Sequence, residues 1–375
     1  MFRETVRQFV SSEIAPHTEA WEAAGAMPLH QIFKQMGQLG FLGLEYDPAF
    51  GGQGADHSFT AVLGEELARV DTMAFAMAAG VQTDMATPSL ARFGSDELKQ
   101  RYLAPACRGE MVASIAVTEA DAGSDVAAIR TRAIRDGNEY VISGSKLYIT
   151  NGTQADWLCL LARTSDDAGY HGMSQILVPT DRPGFAVSRK LDKLGMRSSD
   201  TAELTFDEMR VPADHVIGVE GRGFQQQMRQ FQNERMIAAY NTTGAIKDAL
   251  SRTRAYLCER QAFGAPLLAN QYPQFTLAEL AGDARALEAL CHACAEDYLA
   301  GLDTSRDTTI CKFMSGRLVR RVADWCLQFH GGIGYMEETW TARFFRDARL
   351  WGIGGGADEV MLRTLARADG FAVGS

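Results

Sequence analysis

The sequence predicts an α+β protein built of three consecutive parts. These are an N-terminal α-helical domain over 1–111, a middle antiparallel β domain over 112–218 and a C-terminal α-helical bundle over 219–375. Three observations carry this reading. Up to about Glu110, apolar residues recur at spacings of three and four; from Met111 to Gly218 they shorten into compact runs and alternations bounded by turn residues; from Gly221 onward long helical stretches return. The chain has 375 residues, more than a single hydrophobic core usually holds, so several domains are expected.

The elements follow in order. The opening MFRETVRQFVSSEIAPHTEAW mixes Arg, Glu and apolar residues at helical spacing and lacks the parts of a signal peptide. Because the helical pattern begins at once, a few residues upstream are expected. In LHQIFKQMGQLGFLGL, Ile32, Phe33, Met36 and Leu39 form one helical face, and Ser95 stands as the N-cap of SDELKQRYLAP. LGEELARVD is a further helix and GGQGAD at 51–56 a loop. In the middle part, RTRAIRDGNEYVISG alternates on both sides of Asp136-Gly137, a dipeptide of tight hairpin turns, and this zone reads as a small barrel or sandwich. The C-terminal part reads as three or four long helices joined by short loops. Helices, then strands, then helices place a β domain between two helical ones, with a ligand held where they meet.

Composition excludes several functions. Hydrophobic residues make up 46% and charged residues 22%, as in ordinary globular proteins, and no apolar run is long enough to cross a bilayer, so no membrane insertion is expected. The net charge of −10 argues against nucleic-acid binding. Seven cysteines at irregular spacing read as reduced thiols in a cytoplasm. Cys291 and Cys294 form a C-x-x-C within a helical stretch; with no second ligand pair after it, buried thiols are expected rather than a metal site.

Two segments carry more than fold. AVTEADAGSDVAA (116–128) is a strand end followed by a turn rich in Gly, Ser and Asp, whose backbone amides can face an anion or a polar ring edge. In QFHGGIGYMEETWTARFFRDAR (328–349), Gly331, Gly332 and Gly334 allow close approach of backbone to a ligand. Thr118, Glu119, Gly123, Ser124 and Asp125 in the first resemble, position by position, a signature of the acyl-CoA dehydrogenase family. Gln328, the three glycines, Tyr335, Glu338, Arg343 and Asp347 resemble its second signature. KLYITNGTQAD, KLGMRSSDT, VPADHVIG and ERQAFGAPLLANQ are similar to the family segments between them, so the resemblance covers essentially the whole chain.

The resemblance implies FAD as cofactor. It implies that Val117, Thr118 and Thr150 bond the flavin edge, that Gly123 and Ser124 help bind the cofactor, and that Tyr148 packs on the ring face where many relatives have Trp. It further implies that Arg260, Phe263, Gln271, Gln328 and Gly332 meet the FAD of a neighbouring subunit in a homotetramer, that Glu359 is a flavin contact, and that Ser124 and Arg235 touch substrate. The reaction implied is α,β-dehydrogenation of an acyl-CoA, with electrons passed to an electron-transferring flavoprotein.

Such chemistry needs a base at the α-carbon, a carboxylate made basic by an apolar pocket. Many relatives carry a Glu in the loop after the second signature, but here the matching position in WGIGGGADEV is Gly355. In a minority, including isovaleryl and long-chain enzymes, the base sits on a helix of the C-terminal domain, and this chain has Glu234 there. Phe231 and Ala238 share its helical face, and positions 230, 231, 237 and 238 hold no basic partner. Arg235 is expected to face the other way and to hold the loop or the substrate. The Gly355 N–H is left as the donor to the thioester oxygen. Ala86, matched to a Glu that floors the pocket in medium-chain relatives, leads to an expectation of medium, long or branched chains. Two alternatives stay open: a flavin oxidase or monooxygenase on the same fold, and a non-catalytic flavin-binding scaffold.

Overall fold

A computed structural model describes residues 1–167 and 169–372. The N-terminal part is helical, with helices at Phe2–Phe9, Thr18–Ala24, Leu29–Gln38, His57–Leu67 and Ala74–Gly80. The last runs on through π-type turns at Val81–Ala86 into a helix at Thr87–Phe93. Ser95 caps the next helix as expected, its hydroxyl accepting from the Leu98 N–H at 3.3 Å.

Eight strands follow: β1 (Ala113–Ala116), β2 (Arg132–Asp136), β3 (Glu139–Thr150), β4 (Trp157–Arg163), β5 (Met173–Pro179), β6 (Phe185–Lys190), β7 (Thr201–Pro212) and β8 (Val216–Ile217). They form one sheet in the order β6-β7-β3-β2-β4-β5-β8, with β1 also on β4. The sheet is predominantly antiparallel, but β1 and β2 both pair with β4 in parallel. Asp136 lies opposite Glu139, with Gly137 at φ 60° in the turn between them, as the Asp-Gly dipeptide predicts. Strand β4 is buried over most of its length because both faces are covered. Leu158 and Leu160 pack with Ile142, Ile176 and Leu204 on one face; Trp157 and Cys159 meet Leu90, Tyr102 and Leu103 of the N-terminal helices on the other.

The C-terminal part is built on a long helix, Gly223–Glu259, which packs with Gln271–Leu299 and Ser305–His330. This helix also crosses His57–Leu67. A Cβ on Gly244 would lie 1.8 Å from the Glu65 carbonyl oxygen, so only glycine permits that approach. Cys291 and Cys294 are buried free thiols in the bundle, as expected.

One carboxylate ties the three parts. Asp347, fully buried, accepts from the Met73 N–H at 3.0 Å and the Thr72 hydroxyl at 3.3 Å, both N-terminal, and from the Met196 N–H of the middle part at 2.5 Å. Replacing it with Ala strands two buried N–H donors, so Asp347→Ala should lose about 2–5 kcal/mol. Urea unfolding followed by intrinsic fluorescence measures this, and an unchanged midpoint would show that the tie carries no stability.

Candidate active site

The first signature lies where β1 leaves the sheet. Its loop is braced by a buried ion pair: Lys146, fully buried on β3, donates to the Val117 carbonyl and to the Glu119 carboxylate, both at 2.8 Å. Glu119 also accepts from the Arg130 and Thr131 N–H groups at 2.6 and 2.9 Å. Burial pushes the Lys146 ammonium down to about 8, against the pull of Glu119. The Glu119 carboxyl is held below its ordinary value; burial opposes this, and Lys146 and the N–H donors outweigh it. Backbone bonding continues the brace, since the Leu147 N–H donates to the Thr118 carbonyl at 2.9 Å.

This anchoring fixes the next residue in a costly shape. Tyr148 has φ 61°, in the left-handed region, where the β3–β7 register shifts between Lys146 and Ile149. Its ring is 65% exposed, so it is no core residue. Thr150, two residues on, has its carbonyl bonded by the Ser114 hydroxyl at 2.6 Å. An outward aromatic ring on a braced backbone, beside Thr118 and Thr150, suits the face and polar edge of a planar heteroaromatic ring. Gly123 and Ser124 lie in the same loop, Ser124 exposed.

The loop and the long helix share one apolar cluster. Val117, Ala122, Leu161 and Met173 pack with Phe224 and Phe231 of Gly223–Glu259. Glu234 follows one turn after Phe231 and meets the glycine run after the second signature. A Cβ on Gly355 would sit 3.3 Å from the Glu234 Oε1 and 3.3 Å from the Lys312 Cε, so the two positions that the sequence offers for a base adjoin in space. Gly355 itself has φ +65°. Burial raises the Glu234 carboxyl above its ordinary value, against the pull of Arg235 and Lys312.

One reading from sequence changes here. Arg235 lies beside the loop it was expected to hold, its Nε 3.7 Å from a Cβ built on Gly356 and without a hydrogen-bond partner among the described residues. Glu234 also has a cationic neighbour that its own helix could not reveal. Lys312, from Ser305–His330, is fully buried and donates to the Trp351 and Gly356 carbonyls at 2.7 and 3.2 Å, pinning both ends of the glycine run. Burial pushes its ammonium down to about 8, against the pull of Asp358 and Glu234. No motif within the 223–259 segment signals this partner, because it arrives from a different helix.

The other expected residues divide into surface and core. Arg260 follows the long helix, and Phe263 sits with Gly264 in a two-residue hairpin turn, both at positive φ, its side chain fully exposed. Gln271, Gln328, Gly332 and Glu359 are exposed too. These surface positions are open to a neighbouring molecule, and this chain alone does not gather them at Tyr148. Ala86 is a correction. It is fully buried among Leu90, Tyr102 and Trp157, so it floors no accessible pocket. A cavity of about 350 Å³ lies nearby, and Tyr46, Thr83, Asp84 and Asn233 line it instead.

Family models for the acyl-CoA dehydrogenase N-terminal, middle and C-terminal domains match residues 1–110, 114–209 and 221–369. The chain belongs to the acyl-CoA dehydrogenase family. It is 35% identical over 369 residues to the mitochondrial long-chain specific acyl-CoA dehydrogenase of Mus musculus, covering 98% of this chain and 85% of that protein. A probable acyl-CoA dehydrogenase from Mycobacterium abscessus superposes with a TM-score of 0.95 at 37% identity, covering 98% of this chain and 97% of the other. A glutaryl-CoA dehydrogenase from Mycobacterium smegmatis, solved in complex with FADH2, gives 0.93 at 29% identity, covering 100% and 94%. The protein is therefore an FAD-dependent oxidoreductase of the acyl-CoA dehydrogenase type.

The brace behind the first signature is open to a direct test. Lys146→Met leaves a buried, unpaired Glu119 and should lower stability by about 3–5 kcal/mol. Adding Glu119→Leu should return part of that loss. A double-mutant cycle in urea checks this, and additive losses would show that the pair does not interact.

Proposed function

We propose that this enzyme converts an acyl-CoA to its trans-2-enoyl-CoA, with Glu234 as the base that takes the α-proton. The observation that carries this reading is the raised Glu234 carboxyl standing against the side-chain-free Gly355. A carboxylate whose proton affinity is raised by burial is suited to a weakly acidic carbon, and glycine leaves the space a substrate carbon needs. Lys312 and Arg235 limit the rise. Bound FAD supplies the acceptor for the hydride from the β-carbon.

The remaining groups bind and orient. Among the described residues the Gly355 N–H has no acceptor, which suits it to the thioester oxygen as charge develops there. Lys312 holds that amide in place through the carbonyls on either side. Val117, Thr118 and Thr150 are assigned to the flavin edge and Tyr148 to its face, with Gly123 and Ser124 in the adjoining loop and Ser124 also on the substrate. Arg260, Phe263, Gln271, Gln328 and Gly332 are assigned to the flavin of a neighbouring subunit in a homotetramer, and Glu359 to a flavin contact. Large apolar side chains exposed on the C-terminal part, among them Phe263, Tyr272, Phe275 and Tyr335, support association. The acceptor of the electrons is proposed to be an electron-transferring flavoprotein, and the compartment a cytoplasm. Substrates longer than butyryl-CoA are proposed on the cavity beside Asn233 rather than on Ala86.

Glu234→Gln should retain FAD and bind acyl-CoA, while flavin reduction in anaerobic stopped flow falls at least about 10²–10⁴-fold. Reduction at the wild-type rate would place the base elsewhere. The base works deprotonated and its carboxyl titrates above the ordinary value. The wild-type rate should therefore fall as pH drops through that raised pKa, at a higher pH than an ordinary carboxylate would show. Finally, Phe263→Asp should lower the mass seen in sedimentation equilibrium and loosen FAD together. A wild-type monomer with full FAD would remove the neighbouring-subunit assignment.

A further inference from the structure

Lys312 is a fully buried cation without an ion pair. Two of its three donors go to the Trp351 and Gly356 carbonyls at 2.7 and 3.2 Å. Asp358, the carboxylate whose charge it feels most, is paired with Arg320 at 2.5 Å, and the other Asp358 oxygen is buried without a partner among the described residues. Glu234 is in a similar position, meeting Arg235 and Lys312 through charge alone. The two charges face each other through Gly355, where a built Cβ would lie 3.3 Å from the Glu234 Oε1 and 3.3 Å from the Lys312 Cε. Glycine puts no side chain between them.

Holding two carbonyls does not require a cation. A neutral amide could donate to both without the cost of desolvating an ammonium. The lysine adds charge, and two features of the site feel it. The carbonyls at the two ends of the glycine run receive charge-assisted bonds, stronger than a neutral donor makes, and the Gly355 N–H lies between those ends. Glu234 is the second: Arg235 and Lys312 oppose the rise that burial imposes on its carboxyl. Burial in turn pushes the Lys312 ammonium down to about 8; Asp358 and Glu234 oppose this, and Arg235 and Arg320 add to it. These four are the charged groups that face Lys312, two from the long helix, one from Asp358–Ala368 and one from its own helix. The glycine run brings none.

We propose that Lys312 is a positioning residue for the proton transfer. Its positive charge, facing Glu234 across Gly355, fixes the glycine run and bounds the pH window of the reaction: protonation of Glu234 closes the window on the acid side, and loss of the Lys312 charge closes it on the alkaline side. This rests on the reading of Glu234 as base.

The test is the pH profile of flavin reduction by octanoyl-CoA and palmitoyl-CoA in anaerobic stopped flow, using the FAD-loaded enzyme. The wild-type profile should be bell-shaped, with its alkaline limb near pH 8, below the range of an ordinary lysine. Lys312→Gln keeps two N–H donors without the charge. It should lose the alkaline limb, move the acid limb up by about one pH unit and lower the plateau about tenfold. Lys312→Arg keeps a charge that does not titrate in this range, so it should lose the alkaline limb and leave the acid limb in place. A lysine needed only for folding would move neither limb. Flavin absorbance reports folding. If neither variant holds FAD, Asp358→Asn carries the test: it removes a carboxylate that favours the ammonium, so the alkaline limb should move to lower pH. Lys146 and Lys193 are also pushed down to about 8, so an alkaline limb that persists in both Lys312 variants belongs to one of them and overturns the inference. An acid limb unmoved in Lys312→Gln, an alkaline limb unmoved in Asp358→Asn, or a wild type with no alkaline fall would also overturn it, leaving the dehydrogenase reading in place. Reduction of Glu234→Gln at the wild-type rate would overturn both.

Discussion

Asp347 holds a fully buried carboxylate, and three donors from two other parts of the chain converge on it. Burial pushes its carboxyl up to about 6, against the pull of those donors. These bonds join the three parts that supply the candidate site. Flavin-facing candidates come from the middle part and the base candidate from the C-terminal part. No single domain contains the site, so the relative placement of the three has to be held by directional bonds that a slippery apolar interface would not supply.

The same logic recurs closer to the chemistry. Glu119 and Lys146 are not reagents; they hold a loop whose backbone faces the site. Once Lys146 pins Val117 and Leu147 bonds Thr118, Tyr148 has little choice but the left-handed conformation that turns its ring outward. Strain at a non-glycine residue persists only where the surroundings over-determine it, and here a buried ion pair and a strand register do so. Lys312 serves the glycine run in the same manner, with the added effect of placing a cation near Glu234.

Gly355 and Glu234 together show how one task can be moved between segments. A side chain at 355 would reach the space that Glu234 occupies, so under the proposed role of Glu234 a carboxylate from either segment would reach one locus. In this chain the loop takes a left-handed glycine conformation, and the helix, which positions side chains more rigidly, carries the carboxylate proposed as the base.

By itself the sequence determined the order of helices, strands and helices, the Asp136-Gly137 turn, the Ser95 cap and both family signatures, because each is written in local periodicity or short spacing. It marked Glu234 through its apolar helical face and the empty Gly355. It could not supply what depends on distant segments. Lys312 reaches Glu234 from another helix; the parallel pairing of β1 and β2 with β4 is a matter of sheet topology. Ala86 looked like a pocket floor by position, yet helical rotation turns it into the core and presents Thr83 and Asp84 to the cavity. Periodicity fixes which face of a segment is apolar. Only the tertiary structure decides which other segment that face meets, and therefore which charges share a site.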